Sequence, residues 1–139
     1  MNTAKYWCVP LLACLAFAGA AAEGQERDVF KGKLFPPNVI LERQAELGLD
    51  KAQFTAIRAA VVAAQGDIAE HEWDLRTAYQ NVLAELDKVP VDAERVLGYV
   101  EQALAAENEV KKRQVAMLIE LRNLLSEEQF AMLKATAGD

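Results

Sequence analysis

One interruption divides the amphipathic part of this chain into two long segments. Apolar residues recur at spacings of three, four and seven between residues 54 and 86, and again between residues 97 and 125. Such spacings place side chains on one face of a helix. Between the two runs stands Val89-Pro90-Val91-Asp92, in which the proline opposes a continuous helix and the aspartate is a good helix cap. The sequence therefore predicts two long helices that double back on each other.

Two shorter helices are predicted to flank this hairpin. Pro36-Pro37 suits the first turn of a helix, because the N–H that proline lacks would be unpaired there anyway. This helix continues through residues 38–47 until Gly48 ends it. A last helix runs from Glu127 to about Ala135. We expect an all-α fold of four helices, in which the short helices fold back over the open end of a long antiparallel hairpin.

A hairpin of this kind has little interior of its own. Thirty-odd residues at ~1.5 Å each make each long helix about 50 Å long. Two such rods cannot bury every apolar side chain against each other. We therefore expect the remaining apolar face to be covered by a second copy of the chain, in a homodimer.

The same short phrase begins two of the predicted helices. Residues 48–54 read GLDKAQF and residues 124–130 read LLSEEQF. In each copy a polar residue caps the helix, a glutamine three positions later reaches back to the N–H of the cap, and two apolar residues flank the cap as a hydrophobic staple. The residues in question are Leu49, Asp50, Gln53 and Phe54 in the first copy, and Leu125, Ser126, Gln129 and Phe130 in the second.

The N-terminal residues have the layout of a secretory signal peptide. A short positive start is followed by an apolar run and by small residues suited to cleavage, which places the signal at residues 1–22. Residues 23–35 are expected to be a flexible lead-in, and residues 36–136 the helical domain. Both cysteines, Cys8 and Cys14, lie in the signal, so the cleaved chain would have no thiol chemistry. The expected location is the periplasm, with a soluble form after cleavage; the alternatives are a lipid on Cys14 or an uncleaved membrane anchor.

Charge and composition argue against two classes of function. Acidic residues outnumber basic ones by 21 to 15, and the longest basic run is Lys111-Lys112-Arg113, so nucleic-acid binding is not expected. In a hairpin this triplet should lie opposite residues 66–68, or else hold an acidic partner. Ser126 is explained as a cap, and neither a nucleophile with a nearby histidine nor a phosphate-binding loop is evident. We therefore predict that the protein is not an enzyme.

The single histidine is open to two interpretations. His71 shares a helical face with Asp67 and Asp74, and imidazole with carboxylates suits a divalent transition metal. Alternatively His71 is a polar layer of the helical core, facing Asn108 and Glu107 across the hairpin, which would help to set the register. The cofactor prediction is none, with a divalent metal at these three residues as the alternative.

Several apolar residues fall outside the main stripes. Trp73 lies on a line with Val62, and such an off-stripe tryptophan suits a dimer interface or an exposed surface for an apolar partner. The candidates for that partner surface are Phe35, Ile40, Val62 and Trp73.

With these motifs the sequence resembles the Spy/CpxP family of periplasmic helical proteins. The marker of that family is a twice-repeated Leu-Thr-x-x-Gln. Here it corresponds to Leu49-Asp50-Lys51-Ala52-Gln53 and to Leu125-Ser126-Glu127-Glu128-Gln129, where other capping residues stand in place of threonine. The match covers about residues 36–134.

The resemblance implies a cradle-shaped antiparallel dimer without enzymatic activity. It further implies a periplasmic, ATP-independent chaperone or envelope-stress accessory, whose partners are unfolded envelope proteins or a sensor-kinase or anti-sigma protein. The alternative within the family is a heavy-metal-binding sensor or resistance protein. Such members use several histidines and a methionine one turn after a histidine, whereas Met117 here follows Arg113.

Overall fold

The structure is a computed structural model that describes residues 29–136, and in this part of the chain every regular element is an α-helix. The predicted signal segment 1–22, with Cys8 and Cys14, and the lead-in as far as residue 28 lie outside the described residues. The helices, numbered in chain order, are α1 (Pro37–Glu42), α2 (Lys51–Leu86), α3 (Ala93–Asn123) and α4 (Glu127–Thr136). The predicted all-α class, with two long and two short helices, is confirmed.

The long helices α2 and α3 form the hairpin, and each begins at a capped residue. The Asp50 carboxylate accepts a hydrogen bond from the Gln53 N–H at 2.7 Å, and the Asp92 carboxylate accepts one from the Arg95 N–H at 3.1 Å. Arg113 lies 3.3 Å from Asp67, which sets the basic triplet opposite residues 66–68 as predicted. The antiparallel register inferred from the position of the turn is therefore correct.

The first helix is shorter than predicted. Regular α geometry ends at Glu42, and the backbone of Arg43 (φ −101°, ψ 16°) begins a series of turns that reaches Gly48. Gly48 has a φ of 60°, a left-handed conformation that glycine adopts without strain. These turns bring Leu47 into the core, which a straight continuation of α1 would not require.

The main core lies at the open end of the hairpin. Both short helices fold over this end, and an edge-to-face contact between Phe35 and Phe130, with centroids 5.7 Å apart, joins the segment before α1 to α4. The most deeply buried side chains come from all four helices: Ile40, Ile57, Leu121 and Leu133. Each of the four helices buries a large apolar side chain in this core, which explains why the two short helices dock at the open end.

The contact between α2 and α3 has a different character near the turn. The buried residues there are mainly small, namely Ala78, Val82, Ala103 and Ala106. Small side chains let two helices approach closely, so the larger side chains on both helices are displaced from the contact. Tyr79, Leu86, Leu97 and Leu104, which the periodicity assigns to the buried stripes, are about half exposed. Among the described helices none has the length and hydrophobicity needed to cross a bilayer.

Candidate functional site

The most prominent surface feature is an apolar strip near the turn of the hairpin. Five large side chains on α2 and α3 are between 48% and 63% exposed. We call them the side strip: Tyr79, Leu83, Leu86, Leu97 and Leu104. Tyr79, Leu83 and Leu86 follow one another at spacings of four and three, and Leu97 and Leu104 at a spacing of seven, so each set shares one helical face.

The two halves of the side strip lie on the same side of the hairpin. Four members directly follow a buried residue and the fifth follows a half-buried one. The preceding residues are Ala78 for Tyr79, Val82 for Leu83, Glu85 for Leu86, Ala103 for Leu104, and half-buried Val96 for Leu97. The next residue of an α-helix is turned by about 100° in one fixed sense. Seen from one end of the hairpin, that sense is opposite for two antiparallel helices. The residues after the contact therefore emerge on the same side of both helices.

The side strip indicates an interaction surface because its exposed apolar side chains are clustered. Single exposed leucines are ordinary on protein surfaces, whereas a contiguous apolar patch marks a site of interaction. The turn carries two further exposed apolar residues, Val89 at 97% and Val91 at 48%. The strip therefore offers an apolar surface to a partner outside the described chain.

The opposite side of the hairpin is charged. It carries the Asp67–Arg113 pair and, within α3, a hydrogen bond of 2.7 Å that the Lys112 ammonium donates to Glu109. This hydrogen bond and the charge of Lys112 hold the pKa of Glu109 below its usual value, with a smaller contribution from the charge of His71. These charged groups lie on the polar side nearer the middle of the hairpin than the side strip does.

The structure does not assemble the predicted metal ligands. Asp67 is engaged by Arg113, and within residues 29–136 no three histidine, cysteine, aspartate or glutamate side chains are grouped so that they could hold a metal ion. His71 is half-buried in α2. A metal role for His71, Asp67 and Asp74 remains a prediction, which calorimetry with zinc, nickel, cobalt and copper on the native chain and on His71→Ala would test.

The predicted partner surface is only partly exposed. Phe35 and Ile40 are 7% and 1% exposed, so the prediction that they belong to an exposed surface is wrong. They pack into the core because the segment before α1 and α1 itself cover the open end of the hairpin. Val62 and Trp73 are 64% and 66% exposed and lie eleven residues, or three turns, apart on one face of α2. We call these two residues the outer patch.

The repeated phrase forms two capping boxes. In the first, the Asp50 N–H donates to the Gln53 side-chain oxygen at 3.3 Å while the Asp50 carboxylate caps the Gln53 N–H. In the second, the Ser126 N–H donates to the Gln129 side-chain oxygen at 2.9 Å, and the Ser126 hydroxyl accepts from the Gln129 N–H at 3.1 Å. Each phrase therefore starts its own helix.

The two copies also bind each other. The Gln53 amide nitrogen donates to the Gln129 side-chain oxygen at 2.9 Å, and the Gln129 amide nitrogen donates to the Gln53 oxygen at 3.2 Å. Each nitrogen also donates to a backbone carbonyl of the opposite segment, that of Leu124 for Gln53 and that of Leu47 for Gln129, both at 3.0 Å. We call this arrangement the glutamine clasp. It explains why the chain carries the phrase twice: each glutamine completes its own cap and joins the start of α2 to the start of α4.

Periodicity alone does not reveal the side strip, since it assigns four of the five members, Tyr79, Leu86, Leu97 and Leu104, to the helix contact and does not single out Leu83. The signal that could have found it is the alanine at the preceding position, Ala78 before Tyr79 and Ala103 before Leu104.

Comparisons of the chain with models of protein families, with curated proteins and with solved structures gave no match.

Proposed function

We propose that the protein is a periplasmic, ATP-independent chaperone or envelope-stress accessory of the Spy/CpxP type, a binding protein rather than an enzyme. Its partners are unfolded envelope proteins or a signalling protein such as a sensor kinase or an anti-sigma protein. The observation that supports this proposal is the side strip, an apolar surface on a hairpin whose opposite side is charged.

The chemistry of the side strip suits unfolded partners. Apolar burial is non-directional, so a leucine-rich surface accepts many sequences without a defined set of hydrogen bonds. Covering one half-exposed leucine contributes about 1–2 kcal/mol. The entropy lost on association offsets part of the free energy that the five side chains of the strip contribute together. Binding should therefore be reversible and weak enough for release.

In our proposal, a second copy of the chain binds to a surface other than the side strip. We propose that the homodimer forms through the outer patch, because Trp73 presents a large flat side chain on the same helical face as Val62, three turns away, and this face points away from the contact with α3. Each subunit would then keep its side strip open for a partner.

The experiment separates these two surfaces. Leu83→Ser with Leu97→Ser removes apolar area from the side strip, and Trp73→Ala removes it from the outer patch. The control is Gln102→Ser, an exposed change on α3 that precedes buried Ala103 and therefore lies on the polar side. Light scattering of a denatured client protein measures chaperone activity, and sedimentation velocity measures the oligomeric state.

We expect the double serine variant to need about tenfold more protein for the same protection, while it stays dimeric. Trp73→Ala should dissociate into monomers, and Gln102→Ser should behave like the native protein. Native protein that leaves client aggregation unchanged at equal molar ratio would overturn the chaperone role. Full protection by the double serine variant would show that the side strip is not the binding surface.

A further inference from the structure

A cavity that is half open to solvent lies at the open end of the hairpin, away from the side strip. Its volume is about 690 Å³, and it separates the segment around residues 30–39 from one turn of α3 at residues 114–118. Small-molecule sites commonly have volumes of roughly 300–1,000 Å³. The cavity is therefore large enough for a ligand with a substantial apolar body.

Apolar side chains form most of the wall. Two aromatic rings and the aliphatic chains of the N-terminal segment face aliphatic and thioether groups of α3. The principal wall residues are Phe30, Leu34, Phe35, Val115, Met117 and Leu118. Most of them are half-buried, so the wall is accessible, and Phe35 and Met117 connect it to the core.

The charge at this cavity differs from that of the chain as a whole. Lys31 and Arg43 both line it, whereas none of the lining residues within positions 29–136 is an aspartate or a glutamate. This is a departure for a protein in which acidic residues outnumber basic ones by 21 to 15. Within residues 29–136 neither Lys31 nor Arg43 has an ion-pair partner. The cavity therefore combines an apolar wall with two cations available to an anion.

We propose that this cavity binds a long-chain carboxylate, a fatty acid or a similar single-chain amphiphile. The hydrocarbon chain lies against the apolar wall, and the carboxylate lies near Arg43 and Lys31. A peptide fits less well, because every residue brings a backbone donor and an acceptor that need partners, whereas a hydrocarbon chain needs none. Arginine offers a planar pair of N–H donors that matches a carboxylate.

This proposal is independent of the chaperone role, since the side strip contributes no residue to the cavity. It predicts a specific dependence on chain length. Octanoate, decanoate, dodecanoate and tetradecanoate are titrated into the purified protein by calorimetry, each below its micelle-forming concentration. The Kd should fall about fourfold for each methylene that enters the cavity, and should level off once the cavity is full.

Three variants test the location. Arg43→Gln should weaken decanoate binding about three- to tenfold and leave decanol binding within twofold, because only the carboxylate uses the guanidinium. Val115→Phe places a larger group in the cavity and should weaken both ligands at least tenfold. Arg76→Gln is the charge-matched control, since Arg76 is exposed on α2 and does not line the cavity. Circular dichroism verifies that each variant is folded.

Several results would overturn the assignment. One is the absence of heat with every carboxylate in the series. Another is an affinity that does not change with chain length, which would mean that the protein binds the carboxylate without burying the hydrocarbon chain. Equal binding of decanol and decanoate, unchanged by Arg43→Gln, would remove the role of the cations. If Leu83→Ser abolished carboxylate binding and Val115→Phe did not, the ligand would lie on the side strip.

Discussion

The glutamine clasp makes Gln129→Ala the most informative single change in the helical domain. The Gln129 side chain makes four hydrogen bonds: one from the Ser126 N–H, one to the Leu47 carbonyl, and two with the Gln53 amide. A hydrogen bond of this type contributes about 0.5–1.5 kcal/mol net. Because the bonds share one side chain, we expect the free energy of unfolding to fall by about 2–4 kcal/mol in total.

That loss is large for a domain whose whole stability is on the order of 5–15 kcal/mol. In urea, at a denaturant slope of about 2 kcal/mol per molar, the unfolding midpoint should fall by about 1–2 M. Far-UV circular dichroism follows the transition, because most of the described chain is helical. Gln102→Ala is the matched control: it removes the same side chain from an exposed position and should shift the midpoint very little.

Gln129→Glu distinguishes the clasp from the cap. Glutamate serves as well as glutamine at the third position of a capping box, so a residue that only capped α4 would tolerate this change. A glutamate cannot donate to the Leu47 carbonyl or to the Gln53 oxygen. We therefore expect Gln129→Glu to be about as destabilising at neutral pH as Gln129→Ala.

A double-mutant cycle of Gln53→Ala and Gln129→Ala then measures the connection itself. We expect a coupling of about 1–2 kcal/mol, as for residues in one hydrogen-bond network. Losses that add to within about 0.5 kcal/mol, together with a stable Gln129→Glu protein, would refute the inference that the two phrases hold each other.

Two further predictions concern charged groups. Glu85 is buried, and the Lys88 ammonium lies 2.6 Å from the Glu85 carboxylate. Lys88→Met leaves this carboxylate without its partner and should destabilise the protein by about 1–3 kcal/mol in urea unfolding. Adding Glu85→Gln to the same chain should recover part of that stability. Lys112 lowers the pKa of Glu109. The contribution of this pair to the stability of the fold is therefore present above the ordinary glutamate pKa, and it is lost as the pH falls through the lowered pKa of Glu109. Lys112→Ala should raise the pKa of Glu109 toward its usual value in an NMR titration; an unchanged titration would contradict the role of Lys112.

Much of the fold could be predicted because its signals are local. The capping residues, the interruption at residues 89–92 and the helical periodicity each depend on neighbours within a few positions along the chain. These signals give the four helices and the antiparallel register, which the ion pair between Asp67 and Arg113 verifies. They also indicate that residues 48–54 and 124–130 begin helices, although not that the two phrases meet.

The surfaces could not be predicted in the same way, because burial depends on what packs against a residue from elsewhere in the chain. Phe35 and Ile40 are apolar and lie near the N-terminus of the domain, which is compatible with either an exposed patch or a core position. Only the folding of the short helices over the open end decides that they are buried.

By itself the amino-acid sequence determined where the helices begin, where the chain turns back and which residues cap them, since these depend on short-range hydrogen bonds and sterics. Tertiary structure alone decided three things: the clasp between Gln53 and Gln129, the exposure of the side strip, and the apolar cavity with its two cations. The physical reason is the closeness of the helices. Alanines in the contact bring α2 and α3 together near the turn and leave no room there for the large side chains that follow them, while the docking of the short helices sets the distances at the other end.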